Sequence, residues 1–285
     1  MADLSSSASP RHSPQTGVKH DNATQVARPM VFRGGGFAPK SQPLVTAVAI
    51  LALLAFWQAA TILWSISPTF LPSPERVGRS LWRMIETGEL WRHLSASLYR
   101  IGWGWFLGTV FGVTIGVMIG LFTVARAVGA PLVAALYPVP KIALLPLFIL
   151  WLGIGEGSKV ATIGLSVFFP TVIATYAGVD AVPRNLIRMA QSFNVPLWRI
   201  VWSLLLPGAL AGMLAGFRIS IAAALLVLVA AEMIGAQFGL GAFLILTGNM
   251  LQTDKLMAGV VVLSAMGLTA SWLVTLIERR VLHWR

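Results

Sequence analysis

Cysteine is missing from all 285 residues. That excludes disulfides, thiolate zinc sites and iron–sulfur ligation. Charge is scarce too: 11% of the residues are Asp, Glu, Lys or Arg, where a water-soluble domain carries about 25%. A chain this poor in charge cannot cover itself with a hydrated surface. Histidine is rare, and His12, His20, His93 and His283 fall outside the apolar runs, so no metal site is expected. A phosphate loop is lacking: GIGEGSK at 153–159 has the glycines and a lysine, but not the G-x-x-x-x-G-K-[ST] spacing that cradles phosphates. The net charge of +11 sits in tails and in connections between apolar runs. It forms no basic stripe interleaved with stacking aromatics, so nucleic acid is excluded as a partner.

What is present is apolar: 56% of the chain, in runs of the roughly 20 residues that cross a bilayer as helix. The pattern predicts an all-α membrane protein of about six transmembrane helices, near residues 44–64, 94–122, 128–152, 160–179, 208–234 and 256–277. Residues 1–43, rich in Ser, Pro, Gly, Lys and Arg, read as a disordered tail and not as a secretory signal. Residues 75–86 place Val77, Leu81, Met84 and Ile85 on one side, which predicts an amphipathic helix at a membrane interface. Trp91, Trp103 and Trp105 read as an interfacial aromatic belt.

Three features inside the spans point to packing or to a path. Gly104, Gly108, Gly112, Gly116 and Gly120 recur every four residues and keep one helix face bare for close approach of another helix, or for lining a pore. Pro138 and Pro140 remove two backbone donors within the third span. In lipid such a break is tolerated only against protein or a wet cavity. With Lys141 beside it, the break marks either a translocation path or a packing kink. Glu232, near the end of the fifth span, is an intramembrane acid and so a functional candidate. It suits pairing with a cation such as Lys141 or Arg100, or a place at the interface, better than contact with an anion. Gln237, Asn249 and Gln252 follow as candidates for an outer vestibule.

Lys and Arg concentrate on the side that holds the N-terminal tail, Arg126, Arg184, Arg188, Arg199, Arg218 and the C-terminal tail. The bias makes both termini cytoplasmic, and with them the loop at about 180–207. Within it, residues 184–193 space Leu186, Ile187, Met189, Ala190 and Phe193 for one apolar face. Asn194 can end that helix in the left-handed conformation, Pro196 suits the start of a second helix, and Pro207 is expected to end it. The reading is a helix–turn–helix outside the bilayer with an apolar ridge that needs a partner.

This loop resembles the EAA-x-x-x-G loop of bacterial ABC importer permeases. The matching positions are Arg188, Met189, Ala190, Gln191, Ser192, Phe193 and Asn194, with Leu204-Leu205-Leu206-Pro207 closing the motif. Arg188 stands where Glu is usual, and Asn194 where Gly is. From residue 71 onward the chain is similar to the subfamily importing aliphatic sulfonates, taurine and nitrate, through LPSPERV (71–77), GELWRHLSASLYRI (88–101), YPVPKIALLPLFILWLGIGEGSK (137–159), FFPTVIATYAGV (168–179), AEMIGAQFGLG (231–241) and LIERRVLHWR (276–285).

The resemblance implies a type I ABC importer permease fold over residues 44–285 in the bacterial inner membrane. It implies a homodimer surrounded by lipid, a cytoplasmic ATPase docked on the coupling helix, and a periplasmic solute-binding protein. The chain itself would be non-catalytic and would bind no cofactor, the partner ATPase using the ATP. Arg188, Met189, Ala190, Phe193, Asn194 and Pro207 would form the coupling site, and Pro138, Pro140, Lys141 and Glu232 would border the path. A secondary transporter of a small solute would instead need mid-membrane coupling acids and repeated halves. A membrane-embedded enzyme would need a His, Asp or Ser constellation within the spans.

Overall fold

The structure is a computed structural model that describes residues 43–64 and 67–281. The tail at 1–42 and the last four residues lie outside the described residues. Two units separate, Met1–Ile50 and Leu51–Arg285. The described part of the first is the exposed opening of a helix. All regular elements among the described residues are helical: α1 (Pro43–Leu63), α2 (Pro74–Glu86), α3 (Glu89–Leu121), α4 (Thr123–Leu136), a 3-10 turn (Lys141–Leu144), α5 (Leu145–Leu152), α6 (Glu156–Asp180), α7 (Arg184–Ser192), α8 (Leu197–Ile200), a π turn (Val201–Leu205), α9 (Leu206–Gly235), α10 (Leu240–Asn249) and α11 (Thr253–Val281).

The glycine register explains the central pair. A Cβ added at Gly104, Gly108, Gly112, Gly116 or Gly120 would strike Ile163, Val167, Thr171, Thr175 or Val179 respectively, in each case within 3 Å. Both stripes step by four, so five successive turns interlock and α3 and α6 run parallel. Bare glycine faces let β-branched side chains seat at van der Waals distance. The Thr171 and Thr175 hydroxyls donate to the carbonyls of Val167 and Thr171, each at 2.7 Å. Their polar atoms are thereby satisfied inside the helix, and the methyl side meets glycine.

Parallel α3 and α6 settle the broken third span. α4 begins where α3 ends, yet the chain must return to the start of α6, beside the start of α3. Helices α4 and α5, bent by 91° at the proline break, therefore cross together as one span. With α1, α3, α6, α8–α9 and α11 they make six crossings. Helix α9 runs back along α6, with Gly212 and Gly216 against Gly178 and Ala174. Helix α11 returns antiparallel to α9, tied by Arg218 to Glu278 at 2.7 Å.

Three expectations need correction, and one helix is new. The apolar face of α2 does not rest on lipid: Val77 and Met84 are buried against Leu90, Phe243 and Ala258, while Ile85 is exposed. Its partners are α11 and α3, joined by Phe243 of α10, a ten-residue apolar helix absent from the sequence reading and too short to cross a bilayer. Trp105 is not part of a belt, because its Nε1–H donates to Ser220 Oγ at 3.2 Å and its ring meets Phe217 edge-on. Pro207 opens α9 instead of ending a helix. The π turn just before it spreads the hydrogen-bond ladder where proline has no N–H to give, and the chain stays helical from residue 197 to 235.

Candidate functional site

At one end of the α3–α6 pair the chain builds a hairpin. Arg126 and Asp180 close this end through two bonds, at 2.5 and 2.6 Å. Helix α7 then leaves α6 through the buried Val182 and the cap residue Pro183. It stops at Asn194, whose φ of +54° is left-handed. The Asn194 N–H donates to Gln191 O at 2.9 Å, and the Val195 N–H to Ala190 O at 3.1 Å. Those two bonds form a Schellman closure, for which Gly or Asn is suited. The turn fixes α8 against α7, so Asn194 does at this position what the loop requires of Gly.

The hairpin has two faces. Ile187, Ala190 and Val195 pack inward on Val179, Val182, Ile200, Leu205, Ala209 and Met213. Outward stand Leu186, Met189, Phe193, Leu197 and Trp198, with Phe193 77% exposed. The sequence reading set Met189, Ala190 and Phe193 on one ridge. The structure separates them: Ala190 anchors the hairpin, and Met189 and Phe193 form its outer surface. Arg188 is exposed on that outer side. Arg199 lies over the Trp198 ring, 5.3 Å from its centroid. A cleft of about 310 Å³ runs between hairpin and bundle, lined in part by Arg126, Asp180, Arg184, Ile187, Gln191 and Leu197.

The opposite end holds a buried latch. Arg100 donates to Glu156 through Nε at 2.6 Å and Nη2 at 2.7 Å, and through Nη1 to Glu232 at 2.8 Å and the Phe238 carbonyl at 2.7 Å. Glu232 is wholly buried. It also accepts from Ser97 Oγ at 2.8 Å and from the Gly241 N–H at 2.8 Å. Ser97 in turn accepts the Leu240 N–H at 2.8 Å. The carboxylate thus sits at the N-terminus of α10, where free N–H groups favour negative charge. Gly239 makes the turn, with φ +135° and with Glu232 Cδ 2.4 Å from where a Cβ would stand. His93 Nδ1 lies 2.9 Å from the Gly239 carbonyl.

The structure therefore pairs Glu232 with Arg100 and not with Lys141. Pro138, Pro140 and Lys141 stay together at the 91° bend, apart from this latch. Sequence reasoning missed His93, Ser97 and Glu156 as members of it. A signal existed: His93, Ser97 and Arg100 continue the buried stripe that runs on through Gly104, so the polar residues fall on the face that must be satisfied internally.

Residues 108–283 match the family described as "binding-protein-dependent transport system inner membrane component". The taurine transport system permease protein TauC of Escherichia coli strain K12 is 36% identical over 252 residues, covering 86% of this chain and 92% of that one. The putative aliphatic sulfonates transport permease protein SsuC of Bacillus subtilis strain 168 is 35% identical over 233 residues, covering 82% and 84%. Among solved structures, a chain of the MetNI methionine ABC transporter superposes with a TM-score of 0.57 at 21% identity, over 67% of this chain and 94% of that one. It shares the fold of a type I importer permease. Fold, family match and relatives agree: the chain belongs to the inner membrane components of binding-protein-dependent transport systems, the permease subunits of ABC transporters.

Proposed function

We propose that this permease imports a small anionic solute of the taurine, aliphatic sulfonate or nitrate type. Two copies would pair, each docking one cytoplasmic ATPase on the outer face of α7 and α8. A periplasmic binding protein would deliver solute at the latch end. Residues 44–285 form the permease body, with 180–207 as the coupling loop and 1–43 as a cytoplasmic tail. Hydrolysis of ATP falls to the partner ATPase, and this chain needs no cofactor of its own. The relatives at 36% and 35% identity support the solute class. The Lys and Arg bias supports cytoplasmic termini.

One observation carries the docking assignment. The hairpin exposes Met189, Phe193, Leu197 and Trp198 together, while its other face is anchored in the bundle. Exposed apolar patches of this kind mark partner surfaces. Pro138, Pro140 and Lys141 border the path at the broken span, since backbone freed by proline at membrane depth needs protein or a wet cavity beside it. Glu232 acts at a distance, by holding the turn into α10.

Two aspartates three residues apart test the docking reading. Phe193→Asp should leave yield and thermal stability unchanged while abolishing ATPase co-purification and ATP-driven taurine uptake. Ala190→Asp buries a carboxylate beneath α7 without a partner, a cost of about 3 kcal/mol or more, so it should lower the stability of the isolated permease. If Phe193→Asp keeps both co-purification and uptake, the ATPase docks elsewhere.

A further inference from the structure

Lys141 stands at the mid-depth of the bundle. Its ammonium lies 4.9 Å from the centroid of the Tyr137 ring and 5.0 Å from that of Phe169. Phe169 is thirteen residues from Glu156 and eleven from Asp180, the two ends of α6. Those ends are marked by the Arg100 and Arg126 ion pairs. One N–H of Lys141 goes to the Tyr137 carbonyl. No carboxylate pairs with it among the described residues, and its side chain is only partly covered.

The other cations in the spans are differently placed. Arg100 and Arg218 have carboxylate partners. Lys159 is buried and donates to the carbonyls of Ile154 and Gly155. A half-covered cation facing hydrocarbon at this depth costs about 2.5–3.5 kcal/mol. The same cation on a water-filled path costs little and attracts anions. It sits where two prolines have turned the backbone through 91°, and such breaks are confined to protein-lined or wet surroundings.

We infer that Lys141, held between the Tyr137 and Phe169 rings, is the residue that contacts the passing solute and selects for an oxyanion such as a sulfonate. An ammonium has three donors. With one spent on Tyr137, two are left for oxygens of a tetrahedral sulfonate, while the rings hold the charge in place without neutralising it. This rests on the anion-transport reading above.

The lack of native cysteine gives a direct test. Lys141→Cys, assembled with its ATPase and binding protein in proteoliposomes, should lose taurine uptake by about tenfold or more, the scale of one lost charged hydrogen bond. An aminoethyl thiosulfonate reagent rebuilds an ammonium there and should restore at least half the rate. A neutral methyl reagent or an anionic sulfonatoethyl reagent should not. Uptake by Lys141→Cys at near wild-type rate, or equal rescue by the methyl reagent, overturns the proposal. If the cysteine variant does not assemble, Lys141→Arg and Lys141→Gln carry the test: Arg should transport and Gln should not, and equal rates overturn it. A wild-type complex that moves no anion would refute the solute class instead.

Discussion

Removing the Glu232 carboxylate tests how the permease holds its latch end together. The side chain is fully buried and accepts from Arg100, Ser97 and the Gly241 N–H, all at 2.8 Å. Glu232→Ala removes an acceptor from three donors and leaves Arg100, itself 2% exposed, with the Phe238 carbonyl and with Glu156 as its one carboxylate. Breaking one side of a buried pair costs about 3–5 kcal/mol. Glu232→Gln keeps the volume and one carbonyl oxygen but not the charge, so it should cost less, about 1.5–3 kcal/mol. The double variant Glu232→Leu with Arg100→Met removes both buried charges. It should be more stable than the sum of the single losses, since apolar replacement of a buried pair is often close to neutral. Unfolding in mixed micelles, followed by the fluorescence of the 11 tryptophans, gives each value. If the two single losses simply add in the double variant, Arg100 and Glu232 are not coupled and the latch does not exist.

Further outcomes follow from the same geometry. Gly108→Ala sets a Cβ 2.4 Å from the Gly164 carbonyl and 2.7 Å from Val167 Cβ; backbone cannot retreat, so overpacking of about 1–3 kcal/mol outweighs the helix-propensity gain of about 1 kcal/mol. Gly102→Ala meets nothing within 4 Å and should be neutral or stabilising in the same unfolding assay; equal effects at both sites would refute the parallel α3–α6 packing. Asn194→Ala forces alanine into φ near +54° and should cost about 1–2 kcal/mol, whereas Asn194→Gly should preserve both stability and uptake. Leu251, at φ +56°, carries the same backbone strain, and Leu251→Gly should raise the unfolding midpoint.

Much of the fold was legible because lipid imposes one rule, internal satisfaction of the backbone, which length and hydropathy report directly. The glycine register announced a close helix contact, but not its partner. That partner, the stripe of Ile163, Val167, Thr171, Thr175 and Val179, is hidden in an apolar span where every residue looks alike. Helix α10 was invisible for a related reason: the ten mostly apolar residues after Gly239 are too few to span, and only the Glu232 carboxylate and the Ser97 hydroxyl, which meet its first N–H groups, reveal why it starts there. In the hairpin, periodicity placed Met189, Ala190 and Phe193 on one ridge. An apolar stripe does not say which of its members faces the bundle, and the small Ala190 is the one that fits inside. Pro207 was misread because a proline rule for isolated helices ignores the π turn that absorbs it.

The two ends of the bundle differ in stiffness, and that difference would bear on how an ATPase docked as proposed acts. Interlocked over five turns, α3 and α6 behave as one rod, since sliding by one residue would drive β-branched side chains into helix backbone. At the latch end the rod is pinned to α9 and α10 by buried, charge-assisted bonds. At the hairpin end the closing pair, Arg126 and Asp180, is exposed to solvent, where ion pairs hold weakly. The π turn at 201–205 adds a loosened ladder beside a cleft of about 310 Å³. A push on Met189 and Phe193 therefore meets its least resistance where α7 and α8 join the bundle. Beyond that joint the rod passes the displacement on whole. The bend between α4 and α5 interrupts its surroundings and places the compliant part of the third span beside Lys141, where the proposed solute contact would feel that displacement.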